Sequence, residues 1–69
     1  MLVKRSVNLS GHATSLAMEP QFWRVLDDMA ESQGLSVAAL IRSIDEERAD
    51  NPLASACRLA ALAWVQRTN

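Results

Sequence analysis

The chain has 69 residues, a hydrophobic fraction of 49% and a formal net charge of −1. This length accommodates one domain, since domains usually have roughly 100–150 residues. The single cysteine, Cys57, excludes an internal disulfide, and with one histidine, His12, the chain has no histidine cluster for zinc. We therefore expect neither a metal nor a cofactor. Because so short a chain buries only about 60% of its unfolded surface, we expect a second subunit to complete the core.

The order of the residues disfavours a membrane protein and an enzyme. Arginine or aspartate interrupts the apolar stretches before they reach the roughly 20 residues of a membrane span. The residues after Lys4 and Arg5 do not form the apolar core of a signal peptide, so we expect a cytoplasmic protein. The sequence contains no glycine-rich phosphate loop, paired carboxylates or catalytic triad, which predicts that the protein is not an enzyme.

The charges are distributed unevenly along the chain. Residues 1–18 carry +2, residues 19–50 carry −5 and residues 51–69 carry +2. Such asymmetry is typical of a basic binding face on an acidic body. Two cations, Lys4 and Arg5, are equally compatible with a solvated N-terminus.

Two segments near the N-terminus alternate in character. Residues 13–18 alternate larger or β-branched side chains with small ones, namely Thr14, Leu16 and Met18 against Ala13, Ser15 and Ala17. This pattern predicts a short strand with one covered face. Residues 4–9 alternate as well, so they form either part of an N-terminal arm, 1–12, or a second extended segment.

Two amphipathic helices are predicted after the strand. The first covers about residues 20–33, with Pro20 at its first position and Gly34 at its C-terminal end. The second covers about residues 37–49 and has Ser36 as its N-cap. Each helix carries a stripe of apolar residues at helical spacing.

A third helix is predicted over about residues 51–67. Asn51 is a suitable N-cap and Pro52 a suitable first helical residue. The side chains that follow are apolar on nearly every side of the helix, which predicts burial on every side. A chain of this length can bury such a helix only against a second chain.

A lone strand needs a partner for its backbone N–H and C=O groups. We expect two copies of residues 13–18 to pair antiparallel about a two-fold axis, which adds no further element. The predicted fold is therefore mainly α, with one short N-terminal strand pairing across a homodimer and three helices. The domain covers residues 13–69, and its C-terminal helix extension covers about 51–67.

The order and spacing of these parts resemble the ribbon-helix-helix domain, the fold of Arc/MetJ-type repressors. The parts that carry the resemblance are the alternating strand, the first helix, the Gly34-Leu35-Ser36 loop and the second helix with its apolar stripe. The segments 5–12 and 19–23, Ile44-Asp45 and 51–59 resemble a bacterial branch of that family that carries an extra C-terminal helix. The resemblance covers roughly residues 5–65.

The resemblance implies a homodimeric transcriptional regulator that inserts a two-stranded β-ribbon into the major groove of double-stranded DNA. By alternation, the side chains that face the groove are Ala13, Ser15 and Ala17. The N-terminus of the second helix is implied to bind a DNA phosphate through backbone N–H groups, at Leu35, Ser36 and Val37.

Two further sets of residues complete the expected interface. The arm is expected to contact phosphates or a neighbouring groove through Lys4, Arg5 and His12. The expected dimer core consists of Thr14, Leu16, Met18, Phe22, Leu40, Ile41, Ile44 and Trp64.

The main alternative is a protein–protein interaction module, or an antitoxin-like partner-binding protein, that keeps this fold without reading DNA sequence. The neutral strand face at Ala13, Ser15 and Ala17 and the acidic middle of the chain favour this alternative. A DNA-binding protein should lose affinity steeply with salt, whereas an interaction module should not.

Cys57 lies among alanines on an apolar helix, so we expect it to pack in the core and not to act as a nucleophile.

Overall fold

The computed structural model describes residues 1–68, which form a two-stranded antiparallel sheet followed by three helices. The elements in chain order are β1 Val3–Leu9, β2 His12–Met18, α1 Pro20–Gln33, α2 Val37–Glu47 and α3 Leu53–Thr68. None of the helices within residues 1–68 has the length and apolar character needed to cross a membrane.

The two strands form a hairpin within one chain. Ser10 and Gly11 form the two-residue turn with φ of 53° and 88°, the positive values that a type I′ turn requires. Asn8 supports the turn, since its Oδ1 accepts a hydrogen bond from Gly11 N at 3.1 Å. The prediction of a single strand is therefore wrong. The segment 4–9 is the second extended segment and lies within β1.

Helix α1 begins and ends as predicted. The carbonyl of Glu19 accepts hydrogen bonds from the N–H groups of Phe22 and Trp23, at 3.0 and 3.2 Å. Gly34 adopts a left-handed conformation with φ of 69°, and the N–H of Leu35 donates to the carbonyl of Ala30 at 2.8 Å. This arrangement satisfies carbonyls that the end of the helix would otherwise leave unpaired.

Helix α2 starts where the sequence predicts, whereas helix α3 does not. Ser36 is the N-cap of α2 as predicted, and its Oγ accepts a hydrogen bond from Ala39 N at 3.1 Å. Helix α3 begins at Leu53, one residue after the predicted first helical residue, Pro52. The carbonyl of Pro52 accepts the first helical hydrogen bond, from Ala56 N at 2.9 Å. Pro52 is thus the N-cap and Asn51 precedes it.

The core lies between the inner face of the hairpin and the three helices. Its fully buried side chains are Met18, Trp23, Leu26, Ile41 and Cys57. Of the residues expected in a dimer core, four are already buried within one chain: Leu16, Met18, Leu40 and Ile41. The other four are half-buried: Thr14, Phe22, Ile44 and Trp64.

Helix α3 is buried on one side only. Ala56, Cys57 and Ala61 face the core, whereas Leu59 and Leu62 are 57% and 50% exposed. The prediction that this helix is buried on every side is therefore not met within a single chain. We name the exposed side of this helix, with Ser55, Leu59, Leu62, Ala63 and Gln66, the outer face of α3.

Candidate nucleic-acid interface

The hairpin has two chemically different faces. Residues that lie opposite each other in an antiparallel pair project to the same side of the sheet. The side away from the helices, here called the outer face of the hairpin, is formed by three register pairs: Lys4 with Ala17, Ser6 with Ser15, and Asn8 with Ala13. All six are exposed except Ala17, which is half-buried.

The side-chain directions on β2 follow the alternation read from the sequence. Ala13 and Ser15 are exposed, whereas Leu16 and Met18 are buried. Sequence reasoning missed that Ser6 and Asn8 share this face, since it did not pair residues 4–9 with 13–18. The signal was present in the matching alternation of the two segments.

The hairpin turn determines which backbone groups of β2 remain unpaired. In a hairpin with a two-residue turn, the residues flanking the turn, Leu9 and His12, form a hydrogen-bonded pair, and pairs alternate from there. Ser6 and Ser15 are then a pair that is not hydrogen-bonded. The N–H and C=O groups of Ala13, Ser15 and Ala17 therefore point away from β1. They form a free strand edge, because β1 is the only strand beside β2 within residues 1–68.

The outer face of the hairpin is weakly basic. Lys4 supplies its one charged side chain, and no aspartate or glutamate occurs before Glu19. His12 is exposed at the tip of the hairpin, opposite Leu9. Lys4 and His12 are therefore accessible, although at opposite ends of the sheet.

Arg5 does not extend from a free arm as expected. It lies on the inner face, where its guanidinium donates two hydrogen bonds to the Asp27 carboxylate at 2.9 and 3.1 Å. The guanidinium carbon also lies 4.4 Å from the centroid of the Trp23 ring. The hydrogen bond to Asp27 raises the pKa of Arg5 above its usual value. Because the charge of Arg5 is paired with Asp27, we no longer assign it to a DNA phosphate.

The same contacts attach β1 to α1. Trp23 is 2% exposed, and its Nε1–H donates a hydrogen bond to the carbonyl of Val3 at 2.7 Å. Arg5 and Asp27 are each partly exposed, so their pairing contributes on the order of 1 kcal/mol. These interactions hold the hairpin against the helices and direct its outer face towards solvent.

The N-terminus of α2 is a second accessible polar surface. Leu35 and Ser36 are exposed and Val37 is half-buried. The Ser36 hydroxyl caps Ala39, which leaves the N–H groups of Val37 and Ala38 without an intrahelical partner. Free N–H groups at a helix N-terminus favour an anion. This surface belongs to a different element from the outer face of the hairpin.

The acidic residues of the middle segment are partly neutralised by arginines. Glu19 pairs with Arg58 at 2.9 Å, which joins the start of α1 to α3. A hydrogen bond from its own backbone N–H, and one from Arg58, lower the pKa of Glu19. Asp45 pairs with Arg48 at 2.6 Å near the end of α2. The carboxylates of residues 1–68 do not form a cluster that could hold a metal.

Cys57 packs in the core, as the sequence predicted. It is fully buried, and this burial raises the pKa of its thiol to about 11. The thiolate fraction at neutral pH is therefore very small, which makes the sulfur a poor nucleophile.

This raised pKa predicts a pH dependence of stability. In the unfolded chain the thiol ionises near pH 9.0, whereas the folded chain retains the proton until about pH 11. Between these values the folded state binds more protons, so the contribution to stability is lost as the pH rises. We expect the difference in free energy of unfolding between the parent protein and Cys57→Ala to shrink between about pH 8 and about pH 10.5. Urea titrations at both pH values measure it, and a constant difference would contradict a raised pKa.

Comparison with known proteins places this arrangement in a family. Residues 2–65 match the sequence model of a family described as a ribbon-helix-helix domain. The structure is similar to that of an uncharacterized protein from Bordetella pertussis Tohama I, with 30% sequence identity and a TM-score of 0.81. The similarity covers 93% of this chain and 55% of that protein, so this chain spans about half its length. A comparison with curated proteins gave no match. With a hairpin, three helices and a family match over residues 2–65, the chain belongs to the ribbon-helix-helix domain family.

Proposed function

We propose that this protein is a homodimeric DNA-binding protein that regulates transcription by placing the outer face of the hairpin against the major groove. The observation that carries the proposal is the absence of any aspartate or glutamate from the hairpin, residues 3–18, in a chain that has eight such residues elsewhere. A face that approaches phosphates closely must avoid negative charge. The outer face of the hairpin meets this condition and adds Lys4.

The free edge of β2 supports the dimer. An exposed edge with unpaired N–H and C=O groups is a template for pairing with a second strand. Two copies of β2 related by a two-fold axis would satisfy those groups mutually. The resulting sheet would have the order β1, β2, β2 of the second copy and β1 of the second copy.

The N-terminus of α2 is the proposed second contact with DNA. The unpaired N–H groups of Val37 and Ala38, beside the exposed Ser36, have the chemistry that binds a phosphate. A dimer would present two such termini. They would fix the position of the sheet on the duplex without reading its sequence.

The test is a fluorescence anisotropy titration of the full chain. It uses the DNA just upstream of the gene and a scrambled control, at two salt concentrations. We expect tighter binding to the upstream DNA, by about a hundredfold, and a loss of affinity with salt. Equal and weak binding to both DNAs, or none, would contradict the proposed function.

A matched pair of serine variants adds a control for position. Ser6→Glu places a carboxylate on the outer face of the hairpin and should weaken DNA binding at least tenfold. Ser43→Glu places the same carboxylate on the exposed side of α2, two turns after the N-terminus, and should have a small effect. Similar losses in both variants would count against the outer face of the hairpin as the contact surface.

A second candidate function is a protein–protein interaction module, favoured by the outer face of α3. Leu59 and Leu62 are half-exposed or more, and Leu59 also borders a cleft of about 270 Å³ between α2 and α3. Ile44 and Ala60 line the same cleft. Failure of the parent protein to bind either the upstream DNA or the scrambled control would favour this function.

A further inference from the structure

Building on the proposed function, we propose that β1 contacts the phosphate walls of the groove while β2 lies over its floor. The outer-face residues of β1, Lys4, Ser6 and Asn8, would then bind the DNA backbone. The outer-face residues of β2 would approach the base edges. The hairpin thus divides affinity and selectivity between its two strands.

The spacing of strands leads to this division. Neighbouring strands lie about 4.8 Å apart, so the two β1 strands of a four-stranded dimer sheet lie about 14 Å apart. The two central β2 strands are separated by only one such spacing. The major groove of B-DNA is about 12 Å wide and admits two strands. Only β2 and its copy fit inside the groove, and each β1 strand lies above one wall.

The side chains match these two positions. Ala13, Ser15 and Ala17 are small, so the central strands can approach the floor of the groove closely. On β1, Lys4 and Ser6 offer an ammonium and a hydroxyl group as donors. A phosphate oxygen accepts hydrogen bonds and attracts cations, which suits both side chains.

Asn8 completes the row of donors on β1. Its Oδ1 already accepts the hydrogen bond from Gly11 N, so the remaining polar group of its side chain is an NH₂ donor. Asn8 is exposed on the same face as Ser6 and Lys4. Three successive outer-face positions of β1 therefore present donors, as a strand along a phosphate wall requires.

Contacts to phosphate and contacts to bases have different signatures. Removal of a phosphate contact weakens binding to all DNA sequences equally. If the contact is made by a cation, its removal also makes the dependence of affinity on salt shallower. Removal of a base contact alters the ratio of affinities for specific and scrambled DNA. The inference predicts the first signature for β1 and the second for β2.

Lys4 and Arg5 provide a matched pair for the test. They are adjacent cations on opposite faces, and Arg5 is paired with Asp27. In the dimer, Lys4→Ala removes two phosphate contacts, so the slope of log affinity against log salt should become shallower by about 1.8. Arg5→Ala should leave the slope unchanged. Circular dichroism checks that both variants are folded at the temperature of the titration.

Two serine variants separate the strands. Ser6→Ala should weaken binding to specific and scrambled DNA by the same factor and leave their ratio unchanged. Ser15→Ala, at the opposite position in the register, should reduce that ratio. A changed ratio in Ser6→Ala would overturn the inference.

The remaining outcomes distinguish the inference from the function on which it rests. Failure of the parent protein to bind either DNA overturns both. Binding by the parent protein with an unchanged salt slope in Lys4→Ala overturns the inference and leaves the proposed function intact. An equal change of the slope in Lys4→Ala and Arg5→Ala also overturns it, because the two faces of β1 would then be equivalent.

Discussion

Trp23→Ala is expected to lower the free energy of unfolding by about 3–5 kcal/mol, which is the usual cost of truncating a buried tryptophan to alanine. The side chain is 2% exposed and lies in the core between the hairpin and the helices. A folded domain of this length has a total stability of roughly 3–10 kcal/mol. The variant should therefore be largely unfolded at room temperature or melt well below the parent protein.

Two variants separate the causes of this loss. Trp23→Phe keeps an aromatic ring in the core and removes the hydrogen bond from Nε1 to the Val3 carbonyl. We expect it to cost about 0.5–1.5 kcal/mol, the usual net contribution of one hydrogen bond. Trp64→Ala, at a half-buried position, should cost less than Trp23→Ala. Urea titrations followed by circular dichroism measure all three, and a loss below about 1 kcal/mol in Trp23→Ala would contradict its place in the core.

The importance of Trp23 follows from the weakness of an isolated hairpin. Two strands alone are at best marginally stable in water, so a two-stranded sheet must pack against something else. Trp23 provides that support through its ring, its hydrogen bond to Val3 and its contact with Arg5. When Trp23 is replaced by alanine, we expect β1 to detach from α1 before the rest of the chain unfolds.

The helices could be predicted from the sequence because their signals are local. Pro20 and Gly34 bound α1, and the hydroxyl of Ser36 caps α2. Each signal concerns a backbone group within four residues of it, so it does not depend on the rest of the fold. The start of α3 was predicted one residue too early, since Asn51 is a favoured N-cap and Pro52 a favoured first helical residue, whereas the helix begins at Leu53.

The hairpin was missed because its turn lacks the usual sequence. Type I′ turns favour Asn-Gly or Asp-Gly, whereas this chain has Ser-Gly with Ser10 at a φ of 53°. Serine pays a conformational cost at that position, and the hydrogen bond from Gly11 N to the Asn8 side chain helps to offset it. The turn is therefore stabilised by the side chain of Asn8, a residue outside the two turn positions.

The position of Arg5 could not be derived from local sequence either. Its partner Asp27 is 22 residues away, on a helix whose orientation depends on the packing of the whole chain. The alternation of residues 4–9 did place Lys4 and Arg5 on opposite faces. Which face meets the helices depends on the pairing of β1 with β2 and on the packing of the hairpin against α1.

Ser15→Pro is expected to convert the dimer into a monomer without unfolding the chain. The N–H of Ser15 points away from β1, so its removal spares the hydrogen bonds of the hairpin. It deprives the free edge of β2 of a central donor and places a proline ring where the second copy must approach. Leu16→Lys cannot serve the same purpose, because Leu16 is buried within one chain and its replacement would unfold the monomer.

Ser6→Pro is the matched control for this prediction. Ser6 lies opposite Ser15 in the register, and its N–H points to the other edge of the sheet. The substitution is chemically identical, and it imposes the same restriction on φ in a strand. Sedimentation equilibrium should give a dimer for the parent protein and for Ser6→Pro, and a monomer for Ser15→Pro. DNA binding should be lost in Ser15→Pro, since a single β2 cannot form the ribbon that enters the groove. In Ser6→Pro it should only be weakened, because that variant keeps the dimer and loses the Ser6 hydroxyl.

A dimer that persists in Ser15→Pro would place the contact between subunits elsewhere. The outer face of α3 would then be the leading surface, because Leu59 and Leu62 expose apolar area that no other described part of the chain covers. Replacing both leucines with serine would dissociate such a dimer and leave one paired through β2 intact. The two sets of variants therefore assign the dimer to the strand edge or to the helix, and only the strand edge is compatible with a four-stranded sheet on DNA.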